Sequence, residues 1–432
     1  MISKLYPIMI RLTYFLLLWC LSLGAFAAHP LFSDTTKVYG LPLLTKTPKG
    51  DVILSWTEKD NQSVVGYYFA TSTDQGQHFS DKQLIFSAPG IGTGQLMRPK
   101  LIFKGDGTWV AVFTYNPKMT AKPMVATAAP AAAPQGGGHE GHGARPAGGG
   151  GRPNMGDRKA MQVVYTFSKN AGKSWSTPQP VYQDVDVPAL RGFFDATVMA
   201  NGEVAVAYLK DVIGSTKHEE RDLRLVVSKG DRFEPEQLLD PTPCDCCPIS
   251  LLTDTDGKLN VYYRDNRDNI RDIARLISKD NGKTFSQSEI LHDDNWQING
   301  CPHSGAVSVR SGKSGLVSWF SAGKNEPGLR LVTTEGKKLL VITDPSAKNA
   351  ALVGSKDGGV LLWDQNKQDG AGKSIAYRTV KGTAVSDTKW LNETASTMNP
   401  SGLMVGNNQL LIASEVATPQ GKNSIQLTKE SL

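Results

Sequence analysis

The chain has 432 residues, with 47 Lys and Arg against 41 Asp and Glu, 40% hydrophobic and 20% charged residues, 43 Gly and 24 Pro. This profile excludes coiled coil, collagen and wholesale disorder, and its Gly and Pro content favours a turn-rich fold. A net charge of +6 with no Lys/Arg run argues against a dedicated nucleic-acid surface.

The chain opens on Lys4 and Arg11, an apolar run from Phe15 to Leu21, and Ala25-Phe26-Ala27. A basic start, a short apolar stretch and a small-x-small cleavage site predict a signal peptide over 1–27. The run is too short for a permanent membrane helix, and no later stretch reaches that length. The expectation is a soluble periplasmic or secreted protein without a transmembrane anchor. Its remaining cysteines, Cys244, Cys246, Cys247 and Cys301, then face an oxidising compartment.

Beyond this segment the sequence repeats. Ser72-x-Asp74-x-Gly76-x-x-Phe79 recurs as Ser278-x-Asp280-x-Gly282-x-x-Phe285 and, with Asn for Asp, as Ser168-x-Asn170-x-Gly172-x-x-Trp175. Weaker copies stand at 228–233 and 333–336. In a β-hairpin the Asp or Asn oxygen accepts bonds from turn amides, Gly takes positive φ, and the ring plugs the gap between sheets. A second element, an alternating apolar strand, ends at Trp56, Phe113, Tyr208, Tyr263, Trp319 and Trp363, which counts six repeats. The step from Tyr208 to Tyr263 is 55 residues, the length of a four-stranded antiparallel unit with its turns.

The Ser-x-Asp-x-Gly-x-x-aromatic copies resemble the Asp boxes of the sialidase superfamily. That resemblance implies an all-β, six-bladed β-propeller of four-stranded blades over 28–432. Asp boxes are structural in that superfamily and carry no catalytic group. Residues 117–161 interrupt the repeat with a Gly-, Ala-, Pro-, His- and Met-rich tract, expected to be a flexible loop. Its His139, His142 and Met155 are ligand types that suit copper and form an accessory metal-collecting set.

The region 240–306 holds the densest chemistry. Cys244-Asp245-Cys246-Cys247-Pro248 and Gly300-Cys301-Pro302-His303 lie one repeat apart, so they fall at equivalent places in adjacent blades. Three arrangements stay open: a thiolate metal site, two disulfides, or one cross-blade disulfide with two thiols. Cys244, Cys246, Cys247, Cys301 and His303 form a soft ligand set suited to copper and, less well, zinc; full disulfide pairing would leave no metal.

Cys-x-Cys-Cys-Pro, Arg264-Asp265-Asn266, Ile270-Arg271-Asp272-Ile273 and Trp296-x-Ile298-x-Gly300-Cys301-Pro302-His303 together resemble a bacterial subgroup of exported sialidase-like propellers. This implies a functional site on the central face around these residues, with Asp265, Asp272 and Trp296 behind the ligands. The superfamily's hydrolases use three arginines on a carboxylate, a Tyr nucleophile with a Glu, and an Asp acid/base. The matching candidates are Arg98, Arg264 and Arg271, Tyr377, and Asp195. Arg98-Pro99 lacks the family's intervening Ile and sits in the second repeat, and no Glu pairs with Tyr377 recognisably in sequence.

The sequence therefore supports an exported propeller that binds a thiophilic metal, most readily copper. The alternatives are a glycoside hydrolase acting on acidic sugars, and a glycan- or protein-binding scaffold with structural disulfides.

Overall fold

Alternation of apolar and polar residues, broken by Gly- and Asp-containing turns, gives strands and only short 3-10 turns among the described residues. The computed structural model describes residues 30–121, 158–217, 220–312, 314–391, 395–406 and 408–432. The expected signal peptide, and His139, His142 and Met155, lie outside the described residues. Residues 30–35 belong to a separate short unit containing the 3-10 turn Pro30–Phe32. No helix among the described residues is long and apolar enough to cross a membrane.

From residue 36 the strands form seven antiparallel sheets, each built from consecutive segments. The first strands are Val38–Lys46, Lys100–Phe103, Arg191–Val198, Ser250–Thr253, Val307–Ser311, Lys348–Gly354 and Thr397–Val405. Each touches the first strand of the next sheet, and Thr397–Val405 touches Val38–Lys46, which closes a propeller with these strands innermost. Among the described residues no sheet joins strands from blade one and blade seven. Blades seven and one meet instead through Leu41 N to Glu415 Oε1 and Leu44 N to Ser401 Oγ, both 2.9 Å, and Lys46 Nζ to Met404 O at 2.8 Å.

The count of six blades is corrected to seven. The unforeseen blade is Thr397–Val405, Gln409–Ala417 and Asn423–Ser431. Its second strand has no aromatic residue, whereas the others carry Trp56, Phe113, Tyr208, Tyr263, Trp319 or Trp363. Among the described residues it also has three strands rather than four, and its sequence carries no Asp box.

Asp boxes join third to fourth strands and lean on the preceding blade. Ser278 Oγ accepts from Gly282 N at 2.8 Å, and Asp280 Oδ1 accepts from Thr284 N at 2.9 Å. A Cβ on Gly172 would lie 2.4 Å from Phe69, and one on Gly76 would lie 2.6 Å from Leu411, so each glycine packs where no other residue fits. Trp175 completes the contact by meeting Phe69 edge-on.

The inner strands bulge near their starts. In blades one, three, six and seven the register shifts beside a non-glycine residue at positive φ: Leu41, Phe193, Asn349 and Asn399. These bulges, the loops leading into the inner strands and the turns between second and third strands share one face, called here the upper face.

Candidate thiol site on the upper face

Both cysteine loops lead into inner strands, of blades four and five, so antiparallel topology brings them to the upper face side by side. Pro248 and Pro302 keep the segments irregular by fixing φ and removing a donor. Cys244 N donates to Arg264 O at 2.8 Å, anchoring the first loop to the end of blade four's second strand.

The structure adopts the mixed arrangement. Cys246 and Cys301 form a disulfide between the two loops, while Cys244 and Cys247 are thiols with their sulfurs 3.4 Å apart. Cys244, Cys246 and Cys247 are each at most 2% exposed, and their sulfurs lie within 4.8 Å of one another. Cys246, Cys301 and His303 form a second group within the same limit, running from the buried interior to the exposed His303. Leu190, Phe193, Leu251 and the partly buried Met161 share the apolar cluster that encloses the sulfurs.

The two thiols are electrostatically unequal. A hydrogen bond from Cys247, with the nearby Arg271 and Arg264 cations adding to it, holds the Cys244 thiol below its usual range against the opposing effect of burial. Burial, followed by the bond and charge of Cys244, pushes Cys247 up. The pair thus favours one thiolate stabilised by a neighbouring thiol.

Arg264, Trp296, Asp272 and Asp265 stand around these loops. Arg264, 1% exposed, donates to Ser304 O and Phe320 O at 2.9 Å each and also to Arg271 O, strapping blade four to blade five. Its guanidinium lies 4.8 Å from the centre of the Trp296 ring, which meets Phe320 edge-on. Asp272 accepts from Asn295 N at 2.9 Å and Trp296 N at 3.1 Å. Asp265 accepts from Arg267 Nε at 2.7 Å. Burial raises the carboxyl pKa of Asp265, Asp272 and Asp245.

The hydrolase candidates fall in different settings. Arg98 is a half-buried link from blade two to blade seven, donating to Asn399 O at 3.3 Å. Asp195 ties three blades, pairing with Lys100 at 2.8 Å and accepting from Leu251 N at 2.8 Å. Tyr377 stands on the third strand of blade six, packed with Leu391, Leu410 and Ile412 between blades six and seven. A glutamate does stand beside it: Tyr377 OH lies 3.1 Å from Glu430 Oε2, and burial with that carboxylate pushes the phenol up to about 12. The pair comes from separate blades, so no local sequence pattern announces it.

Arg271 is a sequence candidate, whereas Lys348 escaped sequence reasoning. Arg271 is 7% exposed, and its Nε and Nη1 are buried without a hydrogen-bond partner. Lys348, at the start of blade six's inner strand, places Nζ 3.2 Å from the centre of the Phe320 ring; burial, then Lys373, lowers its pKa to about 8.

A family model described as a BNR repeat-like domain matches residues 151–368. Among solved structures, an ulvan lyase from a polysaccharide lyase family shares 11% identity over 92% of this chain and 96% of its own, at a TM-score of 0.50. A protein of unknown function from Dyadobacter fermentans shares 14% over 93% and 97%, at 0.49. The NanB sialidase of Streptococcus pneumoniae shares 12% over 94% and 70%, at 0.49. Likeness at these identities speaks of fold alone. No curated protein matches the sequence.

Proposed function

Because the chain belongs to the BNR repeat-like domain family, whose repeats build a propeller and leave chemistry to its loops, we propose that this propeller is an exported soft-metal protein that binds Cu(I) through Cys244 and Cys247. The observation that carries this reading is the buried sulfur pair, 3.4 Å apart and biased toward one thiolate near Arg271, whose Nε and Nη1 are buried without a hydrogen-bond partner. Cu(I) accepts few, soft ligands, whereas structural zinc takes four. With Cys246 and Cys301 bonded to each other, the two-thiol set favours copper over zinc. Arg264, Asp272 and Trp296 would keep the two loops in place around the bound ion.

The test is a titration of metal-free protein with Cu(I), under argon, against a chromophoric Cu(I) chelator. One ion per chain is expected, with binding lost in both Cys244→Ser and Cys247→Ser. Retention of wild-type competition by both variants would overturn the reading. Amino-terminal sequencing of the protein recovered from an export-competent host tests the proposed cleavage near residue 27.

A second reading is binding of an acidic glycan on the same face. It is favoured by the buried, acceptor-free N–H groups of Arg271 and by the Lys348 amine over Phe320. Screening of sialylated and uronate-containing glycans, for binding and for cleavage, tests it; Arg271→Gln should weaken any binding found, and the absence of binding or turnover would remove this reading.

A further inference from the structure

The Cys246–Cys301 disulfide bridges the buried sulfur group and the half-exposed rim. Cys246 is 2% exposed and lies within 4.8 Å of the sulfurs of Cys244 and Cys247, whereas Cys301 is partly exposed beside the exposed His303. The Cys301 end is therefore the more accessible of the two to a reagent from solvent. A thiolate arriving there would meet Cys301 first and displace Cys246, because exchange proceeds by attack of one sulfur along the disulfide with the other as leaving group.

We propose that this disulfide is a redox gate on the metal site, which an external dithiol opens to add Cys246 as a third ligand to Cys244 and Cys247. The proposal rests on the Cu(I) reading above. One thiolate of the dithiol bonds to Cys301 Sγ as the Cys246–Cys301 bond breaks, and Cys246 leaves as a thiolate. The dithiol's second thiolate then bonds to its own first sulfur and releases Cys301 as a thiolate. The dithiol is oxidised to its disulfide, two electrons pass to the protein, and the two protons of the dithiol are distributed between the released thiolates and solvent. The freed Cys246 already stands in a buried triangle with Cys244 and Cys247, which matches the three-coordinate thiolate geometry open to Cu(I). Cys301 and His303 remain at the rim, where a borderline imidazole and a thiolate can hold an ion before it moves inward.

The test compares Cu(I) competition by protein isolated without reductant and by protein treated with dithiothreitol and then freed of it by gel filtration under argon. The reduced form should bind at least about 10-fold more tightly, since even an outer partner of a metal ligand is typically worth 10- to 100-fold. Cys301→Ser should bind at the tighter level whether or not it is treated. Cys246→Ser should stay at the weaker level in both. The comparison of treated and untreated wild type needs no substitution, so a variant that fails to fold does not decide the matter. Equal affinity of the two wild-type forms, or a gain on reduction that survives in Cys246→Ser, would overturn the gate and leave the two-thiol site standing. Absence of Cu(I) binding by either form would overturn both.

Discussion

Gly305 packs against the carbonyl of Pro248 so closely that a Cβ on residue 305 would lie 2.0 Å from that oxygen. The two residues flank the cysteine loops of neighbouring blades, so this contact fixes how far apart the loops stand. Gly305→Ala must push Pro248 aside, together with the adjoining Cys247. The expected cost is about 1–3 kcal/mol, read from denaturant unfolding, with weaker Cu(I) competition. A variant with wild-type stability and affinity would show that the loops can separate freely.

The disulfide closes a sequence separation of 55 residues between blades four and five. Its removal in Cys301→Ser should lower stability by about 2–4 kcal/mol through the freer unfolded chain. Wild-type protein under strong reductant should lose a similar amount, and Cys301→Ser under the same reductant should lose little more. Separate losses of equal size in both experiments would contradict a shared cause.

Thiolate absorbance in the ultraviolet, followed against pH in metal-free protein, should rise at Cys244 with a midpoint below the ordinary thiol value of about 8.5. The sign follows from its neighbours: the bond from Cys247 and the charge of Arg271 favour the ionised form. Cys247→Ala should move the midpoint up, and Arg271→Gln should move it up by less. A midpoint unmoved by either change would mean that neither group acts on this sulfur.

Arg264 holds carbonyls of both cysteine-bearing blades from a position 1% exposed. Replacement by Met leaves those oxygens buried without a donor, at an expected cost of about 2–4 kcal/mol. Lys, with one terminal nitrogen, reaches fewer of them and should recover only part of the loss. Thermal unfolding of the two variants beside wild type checks the order.

The Asp-box carboxylates are expected to contribute to the acid limit. Bonds from Thr284 and Ser278 hold Asp280 down at about 2, and bonds from His78 and Ser72 hold Asp74 lower still. A depressed carboxylate stabilises the fold above its unfolded value of about 3.9 and loses that contribution as pH falls toward the folded value. Asp280→Asn copies the Asn170 box and should make the unfolding midpoint less steep with pH between about 4 and 2. An unchanged slope would assign the acid limit to other groups.

Repeats were legible because their constraints are local: a serine, a carboxylate and a glycine within five residues build the turn by themselves. The seventh blade escaped because Gln409–Ala417 packs with aliphatic Leu410, Leu411 and Ile412 instead of an aromatic ring. The meeting of the cysteine loops followed from their spacing of one repeat. Their pairing did not, because four sulfurs in one cluster can join in several ways and only the three-dimensional approach of Cys246 to Cys301 selects one. Tyr377 and Glu430 remained apart in sequence because blade-to-blade packing alone brings them together. The acceptor-free N–H groups of Arg271 were hidden for the same reason, since the neighbours that exclude water come from other segments.

Blades seven and one are joined by side-chain bonds at Leu41, Leu44 and Lys46 and, among the described residues, share no strand. The chain therefore has a mechanical seam there, away from the covalent link between blades four and five. A circular permutant that connects residue 432 to residue 36 and opens the chain between blades two and three would make that seam continuous. Pulled by its new ends, such a ring should part between blades two and three, with the cysteine loops among the last elements to separate.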